Sequence, residues 1–158
     1  MGNSYISVRP IRKETLKEAF SRLRLCEVDD ERATWTPRAN TKASEDYTEV
    51  FLSHTRLYAF AEGWDIQPLK RLALKNLNQT LSTFTLWPEC VGDVVTLLRF
   101  AYDNTSPPKN GHETMRIMLN QYVGYELDKM LEATTFRDFL GESREFLDDF
   151  CSHMERRI

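Results

Sequence analysis

Between residues 45 and 81 the apolar positions recur at helical spacing, and the pattern breaks once. Tyr47, Val50, Phe51, His54, Leu57, Tyr58 and Ala61 follow steps of three and four, which puts them on one stripe of a 3.6-residue helix. Ile66, Leu69, Leu72, Ala73, Leu77 and Leu81 repeat that spacing in a second helix. The interruption is Glu62-Gly63-Trp64-Asp65. Gly63 suits the left-handed residue that ends a helix, and Asp65 suits the cap of the next. Pro68 falls in the first turn, where its missing N–H costs least. Two stripes joined by so short a turn predict a helical hairpin. In this reading Leu72 is buried, while Lys70, Arg71 and Lys75 stand on the solvent side.

The rest of the chain repeats the helical pattern in shorter pieces. Residues 1–10 alternate weakly up to Pro10, which allows a short strand. Residues 13–25 place Leu16, Ala19, Phe20 and Leu23 on one face of an amphipathic helix. Residues 27–44 show no periodicity and read as a linker or flexible loop, with Trp35 leaning on the nearest helix. Pro88 and Glu89 then open a helix whose stripe is Val91, Val94, Val95, Leu98 and Tyr102. It stops near Asn104, before the breaker run Ser106-Pro107-Pro108-Lys109-Asn110-Gly111.

A long helix is predicted over residues 112–131, with Met115, Met118, Leu119, Tyr122, Val123, Leu127, Met130 and Leu131 on its apolar face. Thr134 or Thr135 caps a short helix carrying Phe136, Phe139 and Leu140 and ending at Gly141. Ser143 opens the last helix, with Phe146, Leu147, Phe150 and Met154 in line. The sum is an all-α fold, mainly helical hairpins in an irregular bundle. It divides into an N-terminal helix and loop (1–46) and a helical domain (47–158). Within the latter, 47–82 is the hairpin and 87–158 holds the remaining helices.

Composition narrows the function. The chain has 158 residues, 41% of them hydrophobic, enough to bury a core without disulfide or metal staples. A net charge of −3 gives no global attraction to nucleic acid or to anionic membranes, and neither is expected as a partner. No apolar run approaches the roughly 18 residues of a membrane span, and the N-terminus lacks the apolar core of a signal peptide. Gly2 begins a myristoylation-like pattern, but Ile6 stands where a hydroxyl residue belongs. Cys26, Cys90 and Cys151 are odd in number and widely spaced, which points to reduced thiols in an intracellular, cytoplasmic or nuclear protein. Without a secretion signal, the glycosylation patterns at Asn78 and Asn104 carry no weight.

Catalytic chemistry is poorly served. The sequence holds no metalloprotease, nucleophile-elbow, P-loop or dinucleotide-binding motif. His54 falls on the apolar stripe and reads as a core histidine bonded to a neighbour. His112 sits at a helix start, and His153 lies near a helix C-terminus. Cys151 and His153 are two apart and point in different directions on a helix. Asp29-Asp30-Glu31 and Asp148-Asp149 read as solvated acids. No residue is assigned as catalytic, metal-binding or cofactor-binding, and no cofactor is expected. Lys70, Arg71 and Lys75 read as a wet face.

The hairpin carries a resemblance. Phe51-Leu52-Ser53-His54, Leu57-Tyr58-Ala59-Phe60-Ala61-Glu62, Trp64-Asp65-Ile66-Gln67-Pro68-Leu69-Lys70 and Leu72-Ala73-Leu74 resemble fungal BTB/POZ-domain proteins. Gly92-Asp93-Val94-Val95, Arg99-Phe100-Ala101-Tyr102 and Asn104-Thr105 fit the next part of that family's pattern, as does the segment from Phe136-Arg137 to Arg157-Ile158. The resemblance covers about residues 45–158. It implies the C-terminal, post-sheet helices of a BTB domain and the helical region after them, with the N-terminal β-sheet half missing. It further implies an adaptor-like, non-catalytic role with a protein partner, whether by self-association or as a ubiquitin-ligase scaffold. Two alternatives belong to other classes. One is a small helical enzyme or metal protein using His54 with Cys or carboxylate partners, and the other is a truncated remnant without function.

Overall fold

The computed structural model describes Phe20, residues 36–107 and residues 114–156. The expected strand at 1–10, the helix at 13–25 apart from Phe20, and Cys26, Trp35 and His112 lie outside these residues. Among the described residues the fold is all-α, without strands. α1 (Thr48–Gly63) and α2 (Gln67–Thr83) form the hairpin, and a 3₁₀ turn (Pro88–Cys90) leads into α3 (Val91–Asn104). α4 (Met115–Tyr125), α5 (Leu127–Glu132), α6 (Thr134–Glu142) and α7 (Arg144–Glu155) complete the order.

The hairpin turn differs from its expected geometry. Gly63 remains in α1, and the left-handed residue is Asp65, at φ 54°. The Ile66 N–H bonds the Ala61 carbonyl at 2.9 Å and the Asp65 N–H bonds that of Glu62 at 3.3 Å. This nested pair is a Schellman motif, which requires the positive φ one residue beyond the helix cap. Aspartate tolerates that conformation better than most side chains. Asp65 therefore ends α1 and does not cap α2, whose start has no side-chain cap bond. Pro68 lies in the first turn of α2, where its fixed φ favours helix.

The facing of α2 is also corrected. Its buried residues are Ala73, Leu74, Leu77, Asn78, Thr80 and Leu81, while Leu72 is 45% exposed. Lys70, expected in solvent, crosses toward α1. Its ammonium lies 3.8 Å from Glu62 and 5.3 Å from the Tyr58 ring centre, so its stem helps cover the hairpin seam. Leu72 and Leu74 are both leucines 200° apart on a helix, and the position of α1 and the core decides between them. On α1 the buried line is Phe51, Leu52, Thr55, Tyr58 and Ala61, and Val50 is left outside.

α3 matches its pattern. Val91, Val94, Val95, Leu98 and Tyr102 are all buried, with Leu97 and Ala101 between them. The long helix expected over 112–131 is two helices, because Glu126 leaves the helical region (φ −102°, ψ 14°) and serves as the end of α4 and the start of α5. The break lets Met130 be buried while Leu131 stays 42% exposed.

The core is largely aromatic. Phe20 packs edge-on against Tyr125 and at a tilt against Tyr122, and Asn78 Nδ2 donates to the Phe20 carbonyl at 3.1 Å. Tyr47, Phe51 and Phe84 make a second group, and Tyr102, Phe136, Phe139 and Phe146 a third between α3, α6 and α7. The loop at 36–46 is irregular, as its lack of periodicity implied, yet it is tied down. Asn40 is buried and exchanges two hydrogen bonds with the Thr85 backbone, at 2.8 and 2.7 Å. The Tyr47 hydroxyl donates to the Arg38 carbonyl at 2.8 Å.

Candidate interaction surface

α1 and α2 each carry more apolar side chain than their packed faces use. His54 Nε2 lies 3.4 Å from Thr80 Oγ1, and with the Lys70 contacts this fixes how the two helices face each other. From that register, Val50 and the cap residue Trp64 fall on a line along α1 turned roughly 100° from Tyr58, away from the core, with Leu57 between them packed partly against the core. Leu69 and Leu72 fall on the corresponding outward side of α2. Val50 is 39% exposed, Trp64 73% and Leu72 45%, with Leu57 and Leu69 half-buried. Phe60, also exposed, lies 6.3 Å from Trp64 between ring centres. Steps of seven along α1 are the spacing with which one helix receives another. At one end the face opens into a hollow of about 430 Å³ lined by Pro37, Tyr47, Val50 and Thr80, with Arg38, Glu45 and Asp46 at its mouth.

The other prominent feature is polar and internal. Arg116, on the first turn of α4, is only 3% exposed. Its guanidinium donates to the Thr105 carbonyl at 2.5 Å, the Thr105 hydroxyl at 3.0 Å and the Tyr102 carbonyl at 3.2 Å. It pairs with Glu145 at 2.6 Å and lies over the Tyr102 ring, 4.4 Å from its centre. Tyr102 donates to Asp149 at 3.0 Å and accepts from Asn120 at 3.0 Å. Arg116 thus satisfies the last carbonyls of α3, where a cation is favoured by the helix dipole. A hollow of about 70 Å³ beside Asn120 and Asp149 has room for only a few waters. With its donors already engaged, this cluster locks α3, α4 and α7 together.

Cys26, His112 and the acids at 29–31 lie outside the described residues, and the remaining candidates are dispersed. His54 is half-buried, and burial holds its ring below the usual histidine range. Cys90 is buried, its thiol donating to the Ala43 carbonyl at 3.4 Å, and burial pushes its pKa up, away from a reactive thiolate. Cys151 is exposed on α7. Among the described residues no three His, Cys, Asp or Glu side chains group as a metal site would require. Asp46 and Asp93 do converge, on the start of α1. Asp46 accepts from the Thr48 N–H at 2.9 Å, and Asp93 accepts from the Tyr47 N–H at 3.0 Å and the Thr48 hydroxyl at 3.2 Å. Those bonds to Thr48 hold Asp46 low, while burial and then Asp46 itself push Asp93 up. Both carboxyls are spent on helix capping. None of the described helices is long and apolar enough to cross a membrane.

Sequence reasoning missed Arg116, Asn120 and Tyr102 as a unit, and it missed the outward apolar line. The steps of seven from Val50 through Leu57 to Trp64 were the available signal for the latter. No protein-family model matches the chain, and searches of curated proteins and of solved structures find no match.

Proposed function

We propose that this chain is a non-catalytic, adaptor-like protein that binds another protein through the outward face of its α1–α2 hairpin. The observation that carries the reading is the exposure of Trp64, Leu72 and Val50 on a hairpin whose opposite face is fully packed. Exposed tryptophan set in an apolar patch is the composition of a binding anchor. The pattern resemblance to BTB/POZ proteins, which falls on this same hairpin, supports the reading. An intracellular setting rests on the odd, unpaired cysteines alone.

A photo-crosslinking amino acid placed at position 72 or 60 in cells tests the assignment, with position 137 on α6 as the exposed control. A discrete crosslinked protein adduct from the hairpin positions and none from position 137 is the expected outcome. No adduct from either hairpin position, with the protein folded and abundant, removes the basis for the proposal.

A further inference from the structure

Resting on that reading, the geometry points to the class of partner: we infer that the outward hairpin face receives an amphipathic helix with acidic flanks. Three observations converge. The line from Val50 to Trp64 spans fourteen residues, about 21 Å at 1.5 Å per residue, which matches four turns of a docked helix. Its steps of seven provide the regular ridge such a helix packs against. The third observation is charge.

On α2, Arg71 and Lys75 lie to one side of Leu72, on the rim away from the Lys70 and Thr80 contacts with α1. Among the described residues, the acids of the hairpin and of the loop before it are engaged. Glu62 is paired with Lys70, Glu49 with Arg56 and Glu45 with Arg38, and the Asp65 carboxylate accepts from Gln67. Arg71 and Lys75 take part in none of the ion pairs among the described residues. The chain as a whole is acidic at −3, so a rim with two cations that no described acid pairs with is a local departure from its own field. An apolar strip bordered by such a rim discriminates in favour of glutamate- or aspartate-flanked helices and against lysine-flanked ones. The α1 border does not add to this preference, because its Glu49 and Arg56 neutralise each other.

A second copy of this chain fits the face less well. Two copies related by a twofold axis place the same basic rim on both sides of the contact, and like charges there oppose pairing.

The test uses the full chain and two labelled helical peptides of about four turns. Both carry leucine at the a and d positions, and they differ only in flanks of glutamate or lysine. Fluorescence anisotropy is expected to show the glutamate peptide binding at least about tenfold more tightly than the lysine peptide at low salt, with the difference shrinking as salt rises. Arg71→Glu with Lys75→Glu should reverse the preference, and Leu72→Ser should weaken both peptides. Equal binding of the two peptides overturns the charge argument while leaving the hairpin as a binding face. No glutamate-peptide binding up to about 1 mM overturns the inference. Sedimentation that shows the chain dimerising, with Leu72→Ser abolishing the dimer, assigns the face to a second copy and overturns it equally.

Discussion

Replacing Arg116 by methionine separates an internal lock from surface pairing. Methionine keeps the length and the apolar stem and removes only the fork of donors. The carbonyls of Tyr102 and Thr105 then lose their donor in a place where Arg116 itself is 3% exposed. A buried acceptor left unpaired costs about 1–3 kcal/mol, and loss of the cation over Tyr102 costs about 0.5–2 kcal/mol. Glu145 adds little, because it is 54% exposed and water replaces its partner. The thioether returns on the order of 1 kcal/mol through burial. The net expectation is a loss of about 0.5–4 kcal/mol. Arg99→Met is the matched control, since Arg99 (44% exposed) pairs with Glu142 (58% exposed) and rests on Phe139, so about 1 kcal/mol or less is expected. Equilibrium urea unfolding of both variants measures the difference. If Arg116→Met costs no more than Arg99→Met, the network is not what joins α3, α4 and α7.

Three further outcomes test other parts of the structure. Leu74→Asp places a charge at a 4% exposed site and should cost several kcal/mol, whereas Leu72→Asp should stay within about 0.5 kcal/mol in thermal melts. Asp65→Gly relieves the positive φ at the hairpin turn and should stabilise by about 0.5–1 kcal/mol by the same measure; destabilisation would contradict the cap geometry. His54 is held neutral by burial, so its folded pKa lies below its unfolded value. The unfolded chain therefore binds the proton first, and the contribution of His54 to stability is lost as pH falls through about 6.5 toward the lower folded pKa. His54→Gln should flatten the stability profile between about pH 7 and 5, and an unchanged slope would place the titration elsewhere.

What could be read from the sequence tracked the strength of local pattern. The stripe of α3 is unambiguous, since its β-branched and leucine positions leave few apolar residues on the other side, and every residue assigned to it is buried. On α2 the pattern is ambiguous. Leu69, Leu72, Leu74 and Leu77 surround the helix, so a stripe through Leu72 and one through Leu74 fit equally until the neighbouring helix is known. The turn misled for a related reason. Gly63 has the lowest backbone cost for a positive φ, but the hydrogen bonds from Ile66 and Asp65 place that conformation two residues later. Arg116 was illegible because a lone arginine between Met115 and Ile117 reads as a solvent position. Its burial depends on carbonyls at Tyr102 and Thr105, which α3 brings to it from an earlier part of the chain.

Two departures from simple patterning stand out, and they are not equivalent. Arg116 is a charge inside, and Trp64 with Leu72 is apolar surface outside. A buried charge is tolerable only when its partners are supplied, and Arg116 has carbonyls, a hydroxyl, a carboxylate and a ring around it. That departure is compensated within the fold and needs no ligand to explain it. The outward line on the hairpin has no such internal compensation. Trp64 keeps 73% of its surface in solvent, with the 53% exposed Phe60 beside it, and Leu72 is bordered by Arg71 and Lys75, which pair with no acid among the described residues. Local violations that stability does not explain are where function is expected to lie. On that criterion the hairpin, and not the buried arginine, is the part of this molecule that answers to something outside it.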